Sequence, residues 1–126
     1  MGLVMNSKIR LLIAGSRDFN DYELLKSEID KLAKQFINGF EIISGCAKGA
    51  DKLGERYAEE NSLPVLKYPA QWEQYGKFAG IMRNEQMAKI ADMCIVFWNG
   101  ESKGTKNMIE KALHYHIPLT VVRYKE

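Results

Sequence analysis

Ser44-Gly45-Cys46-Ala47-Lys48-Gly49-Ala50-Asp51 is the stretch of this chain whose residue types best suit the binding of an anion. Glycine carries no Cβ and takes positive φ freely, so Gly45 and Gly49 let a backbone loop approach a ligand, while Ser44 and Lys48 add a hydroxyl and a charge. Two other turns repeat the idea. Gly15-Ser16-Arg17 offers a guanidinium that can fork onto phosphate or carboxylate oxygens, or make a surface ion pair. Ser102, Gly104 and Thr105 offer small residues and hydroxyls at a helix start, where Thr105 suits either an oxygen ligand or a simple N-cap. Asp51 would repel a phosphate held by its own turn, so it suits ribose hydroxyls or the dipole of the helix it begins. Trp72 could stack on a base or pack its loop onto the body, and Tyr75 reads as packing. Arg83 and Asn84 complete the candidate binding set.

These residues need elements to hold them. Lys8 to Ala14 is an apolar run of strand length, and Phe40-Glu41-Ile42-Ile43 is a second. Between them Asn20 and Glu23 form a capping-box pattern ahead of an inward stripe of Leu25, Ile29, Leu32 and Phe36, ended by Asn38-Gly39. Ala50, Leu53, Tyr57 and Ala58 recur at helical spacing, so the Ser44 loop joins a strand to a helix N-terminus. There unpaired N–H groups and the helix dipole favour negative charge. A third strand is expected over Leu63 to Tyr68, an irregular loop over Pro69 to Lys77, and a helix over Ala79 to Ala91. Asp92 to Trp98, the most continuously apolar run, is expected to be a central strand buried on both faces, followed by a helix and a last strand over Pro118 to Arg123. This alternation predicts an α/β, three-layer, Rossmann-like domain with a mostly parallel sheet of about five strands. With strand order 3-2-1-4-5 the ligand crevice falls between the turns at Gly15 and at Gly100 to Thr105, with the Ser44 turn beside them.

The 126 residues, 46% hydrophobic and 27% charged, suit one domain over 8–126, with residues 1–7 expected to be disordered. A net charge of +2 does not point to a duplex-binding surface. Cys46 and Cys94 have no CxxC spacing and read as free thiols of a reducing compartment, and His114 and His116 point apart on a helix, so no metal site is expected. With no signal peptide and no long apolar run, the expected location is the cytoplasm, without a membrane partner. The Walker and GxGxxG patterns are both missing, which disfavours an ATPase or a standard dinucleotide dehydrogenase.

Together, GSRDF at Gly15, SGCAKGADKLGERYA at Ser44, AGIMRN at Ala79 and FWNGESKGT at Phe97 resemble the YspA-like branch of the SLOG superfamily. That superfamily joins the DNA-processing protein DprA to the LOG enzymes, which release a base from a cytokinin nucleotide. The resemblance implies a Rossmann-like scaffold for nucleotides or their derivatives. The Ser44 to Asp51 segment is similar to SGxARGID of DprA, with Lys48 in place of arginine, and Arg83-Asn84 is similar to its RN pair. Gly104-Thr105 matches the Gly-Thr of the LOG motif PGGxGTxxE, but Met108 stands where that motif needs glutamate. Glu110 lies two residues further, about 200° around a helix. Arg83 resembles in place the arginine of the LOG MxxRK segment, with Asn84 in place of lysine.

The leading reading is binding or sensing of a nucleotide, nucleotide sugar or ADP-ribose-like ligand, with no resident cofactor and no catalytic residue assigned. Its rivals are a nucleotide glycosidic-bond hydrolase using Asp51, Glu85 or Glu101, and a DprA-like single-strand binder using Arg17, Lys48, Lys77, Arg83 and Lys103 with Trp72. A homo-oligomer is compatible with either.

Overall fold

The computed structural model describes residues 8–125, so the expectation for residues 1–7 lies outside the described residues. Five strands form one sheet in the order β3-β2-β1-β4-β5, and every neighbouring pair is parallel. They are β1 (Ile9–Gly15), β2 (Phe40–Ser44), β3 (Val65–Lys67), β4 (Met93–Trp98) and β5 (Leu119–Arg123). The helices are α1 (Tyr22–Ala33), α2 (Ala50–Glu60), the single turn α3 (Trp72–Tyr75), α4 (Ala79–Ile90) and α5 (Lys103–His114). This is the α/β, Rossmann-like architecture that the alternation of elements implies.

Side chains alternate across β1, and that alternation divides the core in two. Leu11 and Ile13 face α1 and α2 in a cluster with Phe19, Leu25, Ile29, Ile42, Tyr57 and Phe97. Leu12 and Ala14 face α4 and α5 in a cluster with Ile43, Met87, Val96, Met108 and Ala112. Each large aliphatic side chain buried here contributes roughly 1.5–3 kcal/mol relative to exposure. β1 holds the middle position, as the order 3-2-1-4-5 has it, and β4 lies beside it inside the sheet, as its apolar run suggests. Both are interior strands buried on both faces, and sequence hydrophobicity cannot rank two such strands.

Three local expectations are corrected. Asp21, not Asn20, caps α1: its carboxylate accepts from Leu24 N at 3.1 Å. Phe36 is buried, but α1 ends at Ala33 before reaching it. The stretch read as an irregular loop contains α3 and a 3₁₀ turn, Gly76–Phe78.

From β1 the chain winds through α1, β2, α2 and β3 to one edge, then returns through α4 to place β4 on the other flank of β1. The strand order reverses between β1 and β4, and their C-terminal ends open a crevice there.

Candidate ligand-binding cleft

The crevice is a cleft of about 310 Å³. Its walls come from the end of β1 (Ala14, Gly15, Arg17), the loop and first turn of α2 (Ala47, Asp51), the α3 segment (Trp72, Lys77), α4 (Gly80 to Met87) and the start of α5 (Ser102 to Met108).

Glycines set how closely these walls approach. At Gly15 a Cβ would lie 2.3 Å from Phe97 O and 2.7 Å from the Ala50 Cβ, so its bareness lets α2 close onto the β1–β4 pair. Gly49, at φ 81°, would place a Cβ 2.4 Å from Ser16 O. Its conformation therefore serves the contact between two loops, in addition to anything it offers a ligand.

The α5 start is built by side chains. Asn99 Oδ1 accepts from the N–H groups of Glu101 and Ser102, each at 2.8 Å. Ser102 Oγ accepts from Thr105 N at 3.3 Å and from Thr105 Oγ1 at 3.0 Å. Buried Ser16 ties this turn to β1: its Oγ lies 3.3 Å from Thr105 Oγ1 and accepts from Asn99 N at 3.1 Å. Asn84 holds α4 against it, donating to Gly104 O at 3.3 Å and to Asn107 Oδ1 at 3.0 Å.

The α2 loop is organised by charge. Asp51 is 5% exposed, and its Oδ2 accepts from Ala47 N at 3.1 Å. Burial pushes its carboxyl up to about 6, against the opposing pull of the Ala47 N–H and the Arg83 charge. Arg83, half-buried, donates through Nη1 to Gly45 O and through Nε to Asn84 Oδ1. Its pKa is lowered chiefly by burial, with Asp51 opposing and Arg17 adding a smaller like-charge repulsion. Two guanidiniums that feel one another across a crevice favour an anion between them.

Gly15, Arg17, Asp51, Trp72, Arg83, Asn84, Ser102, Gly104 and Thr105 all line the cleft. Ser16 stands behind its wall. Ser44, Gly45, Lys48 and Gly49 do not line it: buried Ser44 donates to Glu55 Oε2 at 2.6 Å and accepts from Cys46 N at 3.1 Å, and Lys48 is exposed elsewhere. Four of the five cations suggested for a strand groove line the cleft, Lys48 being the exception. Cys46 sits at φ 66° with its thiol pushed up by burial, which suits a loop residue better than a nucleophile.

Sequence reasoning missed Asn99, Asn107 and Gly80. An Asx turn ahead of the Ser102 cap was a signal for Asn99, but nothing local marks a residue that acts only across helices. Of the suggested carboxylates, only Asp51 reaches the cleft. Glu85 accepts from Tyr115 Oη and pairs with Lys111 at 2.9 Å, and Glu101 is exposed. Met108 lines the cleft, 1% exposed, while Glu110 is exposed outside it. Among the described residues, no group of three or more His, Cys, Asp or Glu is placed to hold a metal, and no helix is long and apolar enough to cross a membrane.

Residues 9–75 match the YspA, cpYpsA-related SLOG family. The chain is 34% identical over 117 residues to the Gene 61 protein of Mycobacterium phage D29, a similarity covering 87% of this chain and 93% of that protein. No solved structure gives a significant match.

Proposed function

Because the chain belongs to the YspA, cpYpsA-related SLOG family, whose members are associated with nucleotide derivatives, we propose that its cleft binds a mononucleotide-sized, phosphate-bearing ligand. The carrying observation is electrostatic. Arg17, Lys77, Arg83 and Lys103 line the cleft, yet none is among the ion pairs of the described residues, which join seven other cations to carboxylates. The α5 N-terminus adds partial positive charge at the same wall. A volume of about 310 Å³ lies at the small end of ligand sites, which run from roughly 300 to 1,000 Å³, and favours one nucleotide over a dinucleotide.

Calorimetry with adenosine monophosphate and ADP-ribose tests this reading. Arg17→Ala should weaken binding about ten- to a hundred-fold, as expected for one charge-assisted contact. Arg17 is exposed and no hydrogen bond or ion pair holds it among the described residues, so folding should be unaffected. Equal affinity in the variant and the parent would remove the anion from this cleft.

The hydrolase reading keeps one supporting observation, the raised pKa of Asp51 inside the cleft. Met108 weighs against it, since a thioether neither exchanges a proton nor carries charge where the related motif has glutamate. The same incubations, followed by chromatography for free base, should show none. Base release abolished by Asp51→Asn would establish an enzyme instead.

A further inference from the structure

The chain between Tyr68 and Ala79 carries two cleft side chains, Trp72 and Lys77, and is anchored at its ends, with α3 touching the body between them chiefly against α4. Tyr68 N donates to Ser44 O at 2.8 Å on one side, and Ala79 is 1% exposed on the other. Every residue from 71 to 78 is exposed. The hydrogen bonds of this stretch among the described residues are its own: Gln74 N and Tyr75 N to Gln71 O, Gly76 N to Trp72 O, and Ala79 N to Gly76 O. Neither Glu73 nor Lys77 is among the ion pairs of the described residues. Segments with so few buried contacts and long-range bonds open at low free-energy cost.

The segment also has a joint and a sliding surface. Gly76, at φ 56°, separates α3 from the 3₁₀ turn, with no heavy atom within 4 Å of where a Cβ would stand. Trp72, 51% exposed, rests over Gly80, where an added Cβ would lie 3.6 Å from its Cη2. An indole half in water at the mouth of a cationic cleft has apolar area left to bury and a flat face to offer.

We infer that residues 69–78 form a lid that closes on a ligand carrying both an anion and a planar base, with Trp72 stacking on the base and Lys77 drawn toward the anion. The inference rests on the cleft being a nucleotide site and adds its closure and its demand for a ring. A sugar phosphate without a base should occupy the cationic wall and leave the lid open.

Hydrogen exchange read by mass spectrometry, with binding followed in parallel by calorimetry, separates the claims. With saturating adenosine monophosphate, amides of residues 70–78 should exchange at least about ten-fold more slowly, while saturating ribose 5-phosphate should leave them unchanged. Trp72→Ala should lower affinity for adenosine monophosphate about ten-fold and leave that for ribose 5-phosphate as it was. Nucleotide binding without protection of 70–78 would overturn the lid and leave the cleft assignment standing. Slow exchange of that segment in the free protein would also overturn it, and absence of any nucleotide binding would remove both.

Discussion

Asp51 shows how one residue can look functional in sequence and prove architectural in part. Its carboxylate organises the α2 loop through the Ala47 N–H, and burial pushes its pKa up to about 6 from an ordinary 3.8. The folded chain therefore holds this proton more tightly than the unfolded chain. Between about pH 4 and pH 6 the native state binds more protons, so this group's contribution to stability falls as pH rises through that window and is flat above it. The loss should be about 2–3 kcal/mol. Asp18, Asp30, Glu60 and Glu85, whose pKa values are lowered, run the other way, so the informative quantity is the difference between the parent and Asp51→Asn. Urea unfolding at several pH values should give that difference a slope between pH 4 and 6; parallel curves would show that Asp51 titrates normally. Local sequence could place Asp51 in the first turn of α2, but its burial and the proximity of Arg83 depend on a residue that returns through another helix.

At the scale of elements, the two glycine-bearing helix starts behave differently although their sequences look alike. Gly49 needs φ 81° and has Ser16 O 2.4 Å from its missing Cβ, whereas Gly104 has nothing within 4 Å and lines the cleft. Gly49→Ala should cost roughly 2–4 kcal/mol of stability from strain and displacement of the Ser16 turn. Gly104→Ala should leave stability within about 1 kcal/mol, helped by helix propensity, and lower ligand affinity by filling cleft space. Thermal denaturation and calorimetry on both variants check this; a strongly destabilised Gly104→Ala would contradict the open space at that position. The starts of α2 and α5 were legible because glycine, serine and aspartate leave local signals. The α3 turn was not, because Trp72 to Tyr75 has too few residues for a periodicity, and the choice of Asp21 over Asn20 as cap turns on backbone angles at one residue.

For the whole molecule, the alternation of strand and helix was enough to give a parallel sheet, and the reversal of strand order then fixed where a crevice must open. The sequence could not show which side chains face that crevice. Ser44 and Lys48 belong to the most suggestive motif in the chain, yet one is engaged by Glu55 and the other is exposed outside the cleft lining, while Lys77 arrives from a segment with no motif and Asn107 from a position that its motif leaves unspecified. Periodicity reports which face of an element is apolar; it does not report how two loops interlock.

The uneven pairing of charge also has a kinetic meaning. Outside the cleft, Lys26, Arg56, Lys111 and Lys125 have carboxylates within 4 Å, so much of their field closes on itself at short range. Arg17, Lys77 and Lys103 leave theirs directed into one concave mouth, which Arg83 shares with its charge partly offset by Asp51. A mild net charge of +2 thus conceals a directional field, which should draw anions in before any contact forms. Stopped-flow measurements should find the association rate for adenosine monophosphate falling several-fold between about 20 and 200 mM salt, with dissociation changing much less. An association rate indifferent to salt would mean that these four cations act only after arrival.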